Sequence, residues 1–133
     1  MKKQAEDWLT GAGDDLKVIE KIIDDESLTN MIAFHSQQAI EKSLKSILEE
    51  YESKVPRIHN LIKLKEMTEK YVDTDAERQT LEQINEVYSD ARYPSEIGLI
   101  PTGKPSLDLA KRFFDYAKDF RNQILEKMGN LKD

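Results

Sequence analysis

The sequence predicts an all-α protein, most simply an up-and-down bundle of four long helices plus a short one. Three observations predict it. Apolar residues recur at steps of three and four over long stretches of the chain. No stretch reads convincingly as a strand, since Val55 and Ile97–Ile100 are too short. Helix-end signals bound the periodic stretches, among them Thr74-Asp75-Ala76-Glu77, Pro56, Pro94 and Ser106. The 133 residues have the length of a single domain, 1–133, able to bury a real core. No repeat, linker or low-complexity segment divides them.

The first helix is expected from about Lys3 to Asp24, on the spacing of Trp8, Ala12, Leu16, Ile19 and Ile23. Gly11 and Gly13 weaken it by roughly 1 kcal/mol each relative to alanine, so a kink or a late start is open there. The second runs from Thr29 or Asn30, either of which caps it, to Tyr51. Its stripe is Ala33, Gln37, Ile40, Leu44, Ile47 and Tyr51, with Gln37 the interruption, and Pro56 ends it. A short third helix spans about Ile58 to Lys70, with Leu61, Ile62, Leu64 and Met67 apolar. The fourth opens on a capping box, Thr74 to Glu77. It buries Leu81, Ile84, Val87 or Tyr88, and Ala91, and stops near Tyr93 before Pro94. Residues 95–105 form the one long loop, rich in glycine and proline. Ser106 caps the fifth helix, whose seam of Ala110, Phe113, Ala117, Phe120 and Ile124 anchors either the core or a dimer interface.

Bulk properties narrow the function. A net charge of −6 argues against a broad electrostatic grip on nucleic acid, which needs many cations, while leaving room for a local basic patch. There is no cysteine, so thiolate chemistry and disulfides are excluded. The N-terminal residues turn acidic with no apolar run behind them, unlike a signal peptide, and no segment approaches a membrane span. A cytoplasmic protein is the expectation. No histidine or acid spacing reads as a metal site, and Gly11-Ala12-Gly13 lacks the lysine and the strand of a phosphate loop, so no metal and no cofactor is expected. Asp14-Asp15 and Asp24-Asp25-Glu26 read as helix-end and loop charges.

The second helix carries more polar chemistry than packing requires. Phe34-His35-Ser36-Gln37-Gln38-Ala39-Ile40-Glu41-Lys42-Ser43-Leu44-Lys45 sets two amides within reach of Glu41, at steps of four and three. His35, Gln38, Lys42 and Lys45 lie along an adjacent face. Two readings stand: a polar groove for a ligand, or an ordinary solvated face whose amide–acid pair sets helix register. Downstream come Pro56, His59, Leu61 and Ile62, and then Arg92-Tyr93-Pro94.

In this order these residues resemble the HEPN family, small helical domains named for a nucleotide-binding domain of higher eukaryotes and prokaryotes. The resemblance runs from about Trp8 to Met128. It marks Gln37, Gln38, Glu41 and Lys42 as signature positions, with Gln37, Glu41 and Pro94 in structural roles. It also implies nucleotide or RNA binding through the polar face around the arginine, with Arg92, Tyr93, Lys42, Gln38 and His35 as candidate contacts. Further implications are a homodimer that brings two Arg92 regions close and, in toxin–antitoxin-like modules, a nucleotidyltransferase partner. In catalytic members a histidine follows the arginine by four to six residues, and the pair cuts RNA without metal.

Here the residues after Arg92 are Tyr93, Pro94, Ser95, Glu96, Ile97, Gly98 and Leu99, with no histidine. The acid–base group is missing from its expected place, which argues against cleavage by the usual route. The chain's two histidines are His35 and His59. His59 either caps or packs the third helix, or folds back toward Arg92 as a displaced base. His35 is expected to make an interhelix hydrogen bond. Arg92 has two expectations of equal weight, a salt bridge to Glu41 and a phosphate contact. Three functions follow: a catalytically degenerate binding module, a metal-independent ribonuclease using Arg92 and His59, or a purely structural dimeric helical protein.

Overall fold

The computed structural model describes residues 1–74, 77–92 and 104–129, apart from the side chains of 89–92. Five α-helices follow in order: α1 (Lys3–Ile22), α2 (Thr29–Tyr51), α3 (Leu61–Thr68), α4 (Arg78–Arg92) and α5 (Leu107–Gly129). A single 3₁₀ turn, Glu26–Leu28, links α1 to α2, and there is no strand among the described residues. The expected all-helical bundle is the fold observed.

Contacts along the helices give their directions. The start of α1 meets the end of α2, where the Trp8 indole donates to Glu49 at 3.1 Å and the Lys2 backbone N–H to Glu50 at 2.6 Å. Those two helices are therefore antiparallel. Lys104, just before α5, donates to the Ser27 carbonyl at the start of α2, while Ser46 and Met128 touch near their ends. So α2 and α5 run the same way. Tyr116 in mid-α5 donates to the Glu77 carbonyl at the start of α4.

The middle element is α2, which packs against each of the other four helices. Its burial is nearly all-round: Ile32, Ala33, Ala39, Ile40, Leu44, Ile47 and Leu48 are in the core, and Ser36, Gln37, Ser43 and Ser46 are fully enclosed. The buried serines satisfy their hydroxyls on helix carbonyls, Ser36 on Ile32 and Ser43 on Ala39. From the other helices come Leu9, Ile19, Leu61, Leu64, Leu81, Ile84, Phe113 and Phe120. Each such fully enclosed side chain contributes roughly 1.5–3 kcal/mol. The aromatic seam of α5 is thus spent on the core. No helix among the described residues is long and apolar enough to cross a membrane.

Several helix ends differ from expectation. Neither Thr29 nor Asn30 caps α2; Leu28 precedes it, and Thr29 Oγ1 and Asn30 Oδ1 are buried without a hydrogen-bond partner. The cap falls one turn earlier. Asp25 accepts from the Ser27 hydroxyl and backbone N–H, and these two bonds, the hydroxyl first, hold its carboxyl below the usual range. Because that turn feeds directly into α2, the capping residue belongs to the turn. The third helix is shorter than expected, and Asn60 caps it by accepting from the backbone of Ile62 and Lys63. Tyr51 is 37% exposed and stacks on Tyr71 instead of entering the core. The Thr74–Glu77 capping box falls partly on Asp75 and Ala76, and the loop expected over 95–105 mostly on 95–103, outside the described residues.

The two glycines of α1 leave it unbroken, and both sit under a long side chain. A Cβ at Gly13 would lie 2.9 Å from Nη2 of Arg121, whose Nε donates to the Leu9 carbonyl at 2.9 Å. Gly13 makes room for a guanidinium that ties α5 to α1. Burial lowers the pKa of that guanidinium.

Candidate functional site

Two buried carboxylates organise the polar chemistry, one on each side of α2. Asp15, in mid-α1, receives Lys42 Nζ at 2.8 Å on one oxygen and faces His35 Nδ1 at 2.8 Å with the other. The expectation that Asp15 is a helix-end charge is corrected: its side chain is 9% exposed and it joins α1 to α2. Asp15 lies three residues after Ala12 and four before Ile19, so it sits on the buried stripe of α1. That spacing was the signal by which it could have been found. His35 makes its interhelix hydrogen bond here.

Glu41 is the second hub. Lys45 Nζ donates to one oxygen at 3.0 Å, and Gln37 Nε2 to the other at 3.1 Å. His59 Nδ1 lies 3.1 and 3.2 Å from the two oxygens. Gln37 also donates to the His59 carbonyl at 2.9 Å and accepts from Gln38 Nε2 at 2.8 Å. The amide is thereby locked, and it pins the segment leading into α3 against α2. The Glu41 and Lys45 side chains are each 6% exposed, so this is an interior ion pair. It is compensated by the further hydrogen bonds that Gln37 and His59 make to the same carboxylate. Lys45, placed by the sequence on one face with His35, Gln38 and Lys42, also lies 5.6 Å over the Trp8 ring.

Of the two roles expected for His59 at the start of α3, it does not cap the helix but packs at its lead-in, against Glu41. Asn60 takes the cap, and Asn85 of α4 accepts from the Leu61 N–H at 2.9 Å. The His59 ring stands outside this lock, 47% exposed, and its centroid is 6.4 Å from Tyr88 of α4. Tyr88 stacks on Phe34 at 5.6 Å, and Phe34 meets His35 edge-on at 5.2 Å. An aromatic row thus connects both histidines across α2 and α4.

The expected ligand contacts separate. Lys42 is drawn toward α1, where it lines a groove of about 440 Å³ with Gln4, Asp7, Trp8, Gly11 and Glu49. Gln38 bonds to Gln37 on its own helix, and His59 stands on the side toward α4. Arg92 ends α4, one helical turn after Tyr88. Its side chain, with Tyr93 and Pro94, lies outside the described residues, and so does the expected bridge from Arg92 to Glu41. Among described residues, the cation on Glu41 is Lys45. No three His, Asp or Glu side chains converge as metal ligands among the described residues.

Fold and site together define a small all-helical domain whose central helix meets two polar hubs, Asp15 of α1 and its own Glu41. A family model for the HEPN domain matches residues 5–128, and the chain belongs to that family. No curated protein and no solved structure matches it.

Proposed function

We propose that this HEPN domain is a binding module, catalytically degenerate with respect to the family's usual ribonuclease pair. It binds nucleotide or RNA on the face near Arg92, and it acts as a homodimer beside a nucleotidyltransferase in a toxin–antitoxin-like module. One observation carries the reading. The seven residues after Arg92 hold no histidine, so the family's acid–base group is missing from its usual place. Gln37 and Glu41 serve structure in this reading, since both are buried and spent on each other, His59 and Lys45.

A second reading, a metal-independent ribonuclease using Arg92 and His59, is favoured by the approach of His59 to Tyr88, one turn before Arg92. Incubation of the pure protein with labelled RNA in EDTA, beside an Arg92→Ala control, separates the two. The binding reading expects intact RNA that is retained by the native protein and released by the variant. Cleavage lost in Arg92→Ala would establish the second reading. Light scattering tests the homodimer, and co-expression with an adjacent nucleotidyltransferase tests the partner.

A further inference from the structure

Glu41 is surrounded by donors. Lys45 Nζ and Gln37 Nε2 both give it hydrogen bonds, so its two oxygens are engaged as acceptors. The third group on it, His59 Nδ1, must then be the donor. A neutral imidazole carries one proton, so placing it on Nδ1 leaves a lone pair on Nε2. The ring is 47% exposed while the carboxylate beneath it is 6% exposed. The fold therefore presents a fixed hydrogen-bond acceptor to solvent, at the junction of α2, the lead-in to α3, and α4. Its orientation is set from below by Glu41 and from the side by Tyr88. The backbone is pinned as well, because Gln37 holds the His59 carbonyl.

We propose that His59 is a specificity-determining contact that reads a ligand hydroxyl through Nε2, with Glu41 as its positioning residue. This rests on the reading that the face near Arg92 takes nucleotide or RNA. An outward acceptor there is complementary to a ribose 2′-hydroxyl, which donates, and has nothing to accept from a deoxyribose. Phosphate contacts cannot make that distinction, since both nucleic acids carry them. The ligand class selected is thus ribonucleotide over deoxyribonucleotide. His35 is held at Nδ1 in the same way by Asp15 but is only 19% exposed, so it serves as an internal comparison.

Two measurements test this. Nitrogen-15 NMR of the imidazoles in the free protein, above the range where histidine protonates, should show His59 protonated at Nδ1 and bare at Nε2; a proton on Nε2 overturns the proposal. Binding of RNA and DNA oligonucleotides of one sequence in EDTA should then differ by about fivefold in favour of RNA, the factor one neutral hydrogen bond supplies. His59→Phe keeps a ring without an acceptor and should abolish the preference. Glu41→Gln, checked for an intact helical melt, should release the tautomer and blunt the preference. Should Glu41→Gln fail to fold, the exposed His59→Phe variant still decides. Equal binding of RNA and DNA by the native protein rejects the hydroxyl contact while leaving the binding module standing. No binding of either rejects the module and this contact together.

Discussion

Asp15 is the residue on which the polar contact between α1 and α2 depends. Replacing it by alanine strands Lys42 and His35 at once. The cost is held down because the Lys42 side chain is 29% exposed and can turn to water. Asp15→Ala is expected to destabilise by about 2 kcal/mol, between an unmet hydrogen bond and a fully broken buried pair. Lys42→Met should lose more, since it leaves the enclosed Asp15 carboxylate without its cation; urea denaturation of both variants checks the order. Gly11 offers the opposite sign. A Cβ there meets only the flexible stem of Lys42 at 3.4 Å. Gly11→Ala should therefore keep most of the helix-propensity gain and stabilise by about 0.5–1 kcal/mol. Gly13→Ala should gain less, because its Cβ displaces the Arg121 guanidinium from the Leu9 carbonyl.

Among the described residues, α2 bears most of the load and the join between α4 and α5 is light. Ile40 is completely enclosed, so Ile40→Ala should cost about 2–5 kcal/mol in chemical denaturation. The α4–α5 join contains Tyr116, whose hydroxyl donates to the Glu77 carbonyl at 3.2 Å. Burial first, and then the charge of Glu77, push this phenol up to about 12 from 10.0. Its folded pKa lies above its unfolded one, so the neutral phenol's contribution is fully present below pH 10.0. That contribution is lost as pH rises toward about 12. Tyr116→Phe should accordingly show a shallower fall in stability across that window than the native protein. Thermal melts at its two ends are the check, and parallel curves would count against the assignment.

At the scale of the whole molecule, charge limits how nucleic acid can be held. With a net charge of −6, the 26 acids outnumber the 20 lysines and arginines that could neutralise phosphates. Lys45 is buried on Glu41 and Lys42 is paired with Asp15. RNA binding should therefore depend weakly on salt, with a log–log slope no steeper than about −2, corresponding to two or three phosphate contacts. Titrations across a salt series would show it, and a steep slope would mean that a basic surface elsewhere carries the affinity.

Much of this architecture was legible in the order of residues. The 3.6-residue recurrence of Leu16, Ile19, Ile40, Leu44, Ile47, Phe113, Phe120 and Ile124 predicts long amphipathic helices, because burial of a helix face is a local, periodic requirement. Signature spacing alone brought Gln37 and Glu41 together, since four residues on a helix are neighbours wherever the helix lies. The absence of a histidine behind Arg92 is likewise a fact of sequence. What the chain order did not disclose are the partners supplied from other elements. Asp15 holds Lys42 across 27 residues, and His59 reaches Glu41 across 18. No local rule fixes such pairs. They form because packing α1 and the α3 lead-in against α2 desolvates a carboxylate on each side, and a desolvated charge must find a donor. Tertiary structure alone thereby decided that one acid holds a histidine 19% exposed and the other a histidine 47% exposed.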